Sequence, residues 1–238
     1  VIHAGPSASK RVSNQDPLHA ADGSESFDVW NDSSGSGTVH VRYRNFSGTE
    51  TQTFSGVSRV VFVGGSGNDT IDASGLRGLP VLFDGGNGSD TLLLGSGSAG
   101  ELSTLKGGTG NDTIVVSGGG LVRIEGEDGN DVITAGTGTA TILGGAGNDT
   151  ITGGGAASAN TFRFDRQFGI DTLVLDPLAT TNLLDFSDAS SAIAAWYCCA
   201  SGALPCQAGT FSINETPLPL TVLAMMIVGC PLKARAAS

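Results

Sequence analysis

Apolar and polar residues alternate in short runs along most of the chain. Leu121-Val122-Arg123-Ile124-Glu125 and Thr139-Ala140-Thr141-Ile142-Leu143 show the pattern that puts one face of a β-strand against a core. No segment here sustains the 3.6-residue period long enough for a helix. Between the strands lie glycine-rich loops that fall into a single register. The copies are Gly64-Gly65-Ser66-Gly67-Asn68-Asp69-Thr70-Ile71, Gly85-Gly86-Asn87-Gly88-Ser89-Asp90-Thr91-Leu92, Gly107-Gly108-Thr109-Gly110-Asn111-Asp112-Thr113-Ile114, Gly126-Glu127-Asp128-Gly129-Asn130-Asp131-Val132-Ile133 and Gly144-Gly145-Ala146-Gly147-Asn148-Asp149-Thr150-Ile151. A sixth, degraded copy runs Arg166-Gln167-Phe168-Gly169-Ile170-Asp171-Thr172-Leu173. In every copy position four is glycine, position six aspartate and position eight aliphatic, and successive starts lie 21, 22, 19, 18 and 22 residues apart.

A second apolar column stands two residues before each start: Phe62, Phe83, Leu105, Ile124, Ile142 and Phe164. Each period therefore supplies two strands and the turns that join them, which is one coil of a solenoid. The predicted class is all-β, a right-handed parallel β-roll or β-helix, because parallel crossovers take that hand. Upstream, Ser26–Trp30, Thr38–Tyr43 and Ser58–Val63 read as strands that cover the open end of the stack. Downstream, Thr161–Asp165, Asp171–Leu175 and Leu183–Phe186 read as closing strands. The expected organisation is a mobile segment 1–24, a β cap 25–63, repeats and closing strands 64–187, and a poorly ordered Ala/Ser/Cys-rich tail 188–238.

Composition sharpens this picture. The net charge is −11, and residues 64–187 hold 15 acids against five bases, so nearly all the excess sits in the repeats. Such a surface opposes phosphate backbones and anionic membranes, and its natural partner is a cation. The 37 glycines come with only eight prolines and no three-residue period, which excludes collagen. Cysteine is confined to Cys198, Cys199, Cys206 and Cys230, at no zinc spacing. The apolar run Pro217–Cys230 is too short for a membrane helix and opens with two prolines. Val1 in place of Met, with no leader pattern, reads as the start of a processed or partial chain.

The loops have the chemistry of a hard-cation site. Glycines accept positive φ and bring carbonyl oxygens inward, and one carboxylate per loop adds charge. They resemble the repeats-in-toxin nonapeptide G-G-x-G-x-D-x-U-x of hemolysin-type proteins, over residues 64–173. That resemblance implies a β-roll with calcium held between loops of successive coils by Gly64, Gly65, Gly67 and Asp69; Gly85, Gly86, Gly88 and Asp90; Gly107, Gly108, Gly110 and Asp112; Gly126, Gly129 and Asp131; Gly144, Gly145, Gly147 and Asp149; and Asp171. The opposite edge lacks the position-six aspartate and has Asn160 where the last acid would fall. One ladder of about four to five calcium ions is therefore expected, not two.

The plain alternative is a set of β-turns in which Asn and Asp only cap the chain. Six copies in register with a second column favour the cation reading. The Asn-x-Thr triplets at Asn68, Asn111 and Asn148 follow from the repeat itself. No zinc helix, nucleophile elbow or phosphate loop is present, and His3, His19 and His40 precede the repeats without evident partners, so no enzyme is expected in this chain. The resemblance implies a secreted bacterial module that folds on calcium after export, with secretion machinery or a cell-surface target as partners. The alternatives are the accessory part of a secreted protease or lipase, or an adhesin segment.

Overall fold

The computed structural model describes residues 2–4, 24–32, 37–45, 48–165, 168–176, 179–188, 193–198, 207–211 and 223–228, and among them there is no helix. The chain begins with β1 (Ile2–Ala4), then β2 (Ser26–Asn31), β3 (Val39–Asn45) and β4 (Gly48–Phe54). Six coils follow, each made of two strands. They are β5 (Val60–Ser66) with β6 (Thr70–Gly75), β7 (Val81–Asn87) with β8 (Thr91–Leu94), and β9 (Ser103–Thr109) with β10 (Thr113–Val116). Then come β11 (Leu121–Asp128) with β12 (Val132–Thr134), β13 (Thr139–Ala146) with β14 (Thr150–Thr152), and β15 (Ala159–Arg163) with β16 (Asp171–Val174). Beyond them lie β17 (Thr181–Asp185), β18 (Ile193–Cys198), β19 (Gln207–Phe211) and β20 (Leu223–Val228).

The strands sort into two sheets. One has the order β1-β5-β7-β9-β11-β13-β15-β17, and the other β19-β18-β20-β16-β14-β12-β10-β8-β6-β2-β3-β4. The result is a β-solenoid of about six turns. In the second sheet Ile71, Leu92, Ile114, Ile133, Ile151 and Leu173 pair in register, and all are buried. In the first, Phe62, Phe83, Leu105, Ile124 and Ile142 form the facing column. The sixth member is Phe162, which pairs with Ile142 and Leu184, and not the expected Phe164. The alternation Phe162-Arg163-Phe164 makes both residues inward-facing, but the sixth loop is longer by two residues, so counting back from it stops two residues short of the column. Phe164 instead packs with Phe168 and Phe186, at 5.2 and 4.6 Å between ring centroids, toward the C-terminal end of the coils.

At the other end Phe27 lies 5.3 Å from Phe62 and 4.9 Å from Tyr43. The expected cap takes shape as the antiparallel strands β2, β3 and β4, with β2 pairing parallel to β6. Ser58–Val63, read as cap, is divided: Val60 opens β5, because it pairs with Val81 in the first coil. Segments expected to lack order also contribute strands. Ile2–Ala4 pairs with Val60–Phe62, and β20 and β18 extend the second sheet from β16. An open parallel edge needs backbone partners, and Leu223–Val228 is apolar enough to serve. Arg166, Gln167, Cys199, Cys206 and Cys230 lie outside the described residues.

Candidate metal centre

Coil-to-coil contact at the loops leaves no room for side chains at positions two and four. Gly110 has φ +123°, and a Cβ there would come closer than 3.0 Å to the carbonyl oxygen of Gly88 one coil below. Gly110→Ala is therefore expected to cost at least about 2 kcal/mol by urea unfolding in calcium buffer. Gly100→Ala, with open space around it, should stay within about 0.5 kcal/mol of the parent. Position two of the fourth copy is the exception. Glu127 takes φ 75°, and its carboxylate meets Lys106 Nζ at 2.6 Å.

The position-six aspartates form a buried column, each about 1% exposed. The backbone N–H of each donates to Oδ1 of the next: Asp69 to Asp90 (2.6 Å), Asp90 to Asp112 (2.7 Å), Asp112 to Asp131 (2.8 Å), Asp131 to Asp149 (2.9 Å) and Asp149 to Asp171 (3.0 Å). A second ladder, which the repeat reading passed over as a turn preference, runs the opposite way at position five. Ser89 N–H donates to Asn68 Oδ1 (2.9 Å), Asn130 to Asn111 (2.8 Å), Asn148 to Asn130 (2.8 Å) and Ile170 to Asn148 (2.8 Å). The column of Asn and Ser at position five was visible in the aligned copies and is the signal that finds it.

One carboxylate oxygen per rung is spent on the ladder. The other, Oδ2 of Asp90, Asp112, Asp131, Asp149 and Asp171, is buried and has no hydrogen-bond partner. Each of Asp90, Asp112, Asp131 and Asp149 aims this oxygen at the space over the position-one glycine of its own loop: Gly85, Gly107, Gly126 and Gly144. The carbonyl oxygen of the next coil's position-one glycine closes three of these spaces, from Gly107, Gly126 and Gly144, and Gly85 does the same over Gly64 beside Asp69. A Cβ on any of these five glycines would come closer than 3.0 Å to the carboxylate oxygen.

A buried anion without a counterion favours its protonated form. Burial pushes Asp112 up to about 6 and Asp131 and Asp171 up to about 7, and it also raises Asp90 and Asp149. Neighbouring carboxylates add to the rise at Asp112, Asp131 and Asp171. In the unfolded chain such groups titrate near 4, so the folded state without metal binds protons more tightly. The stability these groups contribute is fully present below about pH 4 and is lost as pH rises through about 7. In EDTA the melting temperature is therefore expected to be higher at about pH 5 than at about pH 8.

The arrangement fits a hard cation. The oxygens gathered at this edge are aspartate carboxylates and backbone carbonyls, and residues 64–187 contain no His or Cys; among the described residues no three His, Cys, Asp or Glu side chains form a metal-holding group. Oxygen donors of this kind are those calcium takes, whereas zinc centres use His nitrogen and Cys sulfur. The opposite edge differs. Its glycines, Gly95, Gly118, Gly136 and Gly154, approach the carbonyls of the coil below just as closely but carry no acid beside them. Asn160 there is buried and donates its amide to Ser158 Oγ (3.0 Å) and Asn182 Oδ1 (2.9 Å).

With the loops so arranged, residues 61–75, 82–98, 103–120, 107–142 and 134–157 match the family described as RTX calcium-binding nonapeptide repeat (4 copies). No curated protein and no solved structure matches the chain. Over these residues the loops of the solenoid are similar to RTX calcium-binding repeats, a structural repeat fold. No helix among the described residues is long and apolar enough to cross a membrane.

Proposed function

We propose that this chain is a module of a secreted bacterial protein that folds when calcium fills the gaps between its loops. The observation that carries the reading is the set of buried Oδ2 atoms without hydrogen-bond partners on Asp90, Asp112, Asp131 and Asp149, each beside the position-one glycine of its own loop. Calcium supplies the missing positive charge. Six rungs enclose five gaps, and in four of them the position-one glycines of both loops are described; the matching residue of the sixth copy, Arg166, is not. About four to five ions follow, with Asp69, Asp90, Asp112, Asp131, Asp149 and Asp171 as side-chain ligands. The glycines at positions one, two and four provide carbonyls and the room for them. Residues 25–187 form the working unit on this reading.

Calorimetry or native mass spectrometry on the whole chain is expected to find that stoichiometry, with dissociation constants of about 10⁻⁴ to 10⁻³ M. Magnesium should substitute poorly, since it demands tight octahedral geometry and holds its water. No binding at about 10 mM calcium would defeat the proposal. The link to export rests on the concentration difference across the cell envelope. Low calcium inside leaves the aspartates repelling one another, and millimolar calcium outside closes the loops.

A further inference from the structure

The aspartate ladder does not stop at Asp69. Three hydrogen bonds carry it one step further, into the N-terminal strands. Glu25 N–H donates to Asp69 Oδ1 at 2.7 Å, as Asp69 N–H does to Asp90 Oδ1. Asn68 N–H donates to Ser24 Oγ at 3.0 Å, in the place where Asn111 N–H meets Ser89 Oγ at 3.3 Å. Thr70 N–H donates to the Glu25 carbonyl at 2.7 Å, as Thr91 N–H does to that of Asp69 at 2.8 Å. The strand register agrees, since Ser26 pairs with Thr70 and Phe27 with Ile71. Gly23-Ser24-Glu25-Ser26-Phe27 thus reads as positions four to eight of a further copy, with Glu for Asp and Ala20-Ala21 where the paired glycines would be.

We infer that Ser24 and Glu25 are the first rung of the ladder and make the strands β2–β4 fold together with the calcium loops. This rests on the calcium reading above. The rung acts through its positioning groups, the Glu25 backbone and the Ser24 hydroxyl. They fix the first loop only when Asp69 is held in its ladder geometry, and Asp69 holds them in return. Calcium in the first gap, between Asp69 and the loop at Gly85, therefore biases a hairpin that contributes no ligand to that gap.

Trp30 on β2 offers a reporter, stacked on His40 at 5.3 Å, and Trp196→Phe leaves it as the single tryptophan. In that background Trp30 fluorescence and far-ultraviolet circular dichroism are expected to change at the same calcium concentration. Glu25→Pro, which deletes the N–H, should separate them and move the Trp30 midpoint to about tenfold higher calcium. Ser24→Ala, a milder change, should shift it the same way by a few-fold. Wild-type hydrogen exchange makes the test without any substitution: amides of Ser26–Asn31 should gain protection together with those of Asp69 and Thr70. A Trp30 signal already native-like in EDTA, or coincident midpoints in both variants, would overturn the coupling. A chain whose dichroism and Trp30 signal both ignore calcium would sink the calcium reading itself, and this coupling with it.

Discussion

Transferred from millimolar calcium into EDTA at neutral pH, the chain is expected to lose part of its β-sheet dichroism and to melt at a much lower temperature. Taking a dissociation constant of about 10⁻⁴ M and about 1 mM free calcium, each filled gap stabilises the fold by RT ln 11, about 1.4 kcal/mol. Five independent gaps give about 7 kcal/mol, within the 5–15 kcal/mol that a typical domain has in total. Removing the metal takes this away and leaves the carboxylates of Asp90, Asp112, Asp131, Asp149 and Asp171 buried with one oxygen each lacking a hydrogen-bond partner. Both changes act in the same direction. The measurement is a melt followed at about 218 nm in each buffer; an unchanged transition in EDTA would mean that the two apolar columns hold the solenoid by themselves.

Asp131→Asn is expected to reverse its sign between those two buffers. Asparagine keeps an Oδ1 to accept the Asp112 N–H, so the ladder bond of 2.8 Å survives. What disappears is the charge. With calcium present the variant should bind at least one ion fewer and lose about 2–4 kcal/mol, because a ligand and its attraction to the metal are gone. In EDTA near pH 8 it should gain stability over the parent, since a buried anion pushed up to about 7 no longer has to ionise. Asp72→Asn provides the contrast. Asp72 lies outside the loop, where its Oδ1 accepts Ser74 N–H at 3.0 Å, so little change is expected in either buffer. A loss of equal size at both positions would describe a diffuse acidic surface in place of discrete sites.

The period made the centre of this fold legible. Asp69 through Asp171 and Ile71 through Leu173 occupy invariant positions of the repeat, and a residue that every coil needs for the same reason recurs in the same place. The ends were less legible because there the physical reason changes. Glu25 serves the ladder through its backbone, which any residue but proline supplies, so the first rung tolerates a side chain that hides the pattern. Phe162 and Phe164 are both apolar and both buried, and only pairing with Ile142 tells them apart. Strands β18 and β20 join the second sheet through backbone partners set by β16, a requirement that composition does not record.

The coils differ in length, and the difference is not shared evenly between the two edges. Seven positions separate Phe62 from Asp69, Phe83 from Asp90, Leu105 from Asp112, Ile124 from Asp131 and Ile142 from Asp149. Across the other edge the step varies, from nine positions between Ile133 and Ile142 to 13 between Leu92 and Leu105. That side already accommodates Gly95–Leu102 and Gly153–Ser158 without disturbing the register of the strands around them. It is the natural splice point of the molecule. A foreign peptide grafted at Gly100 would be displayed from the side of the rod away from the aspartates, and further grafts one coil apart would stand about 4.8 Å from their neighbours, in a row with a fixed and known pitch.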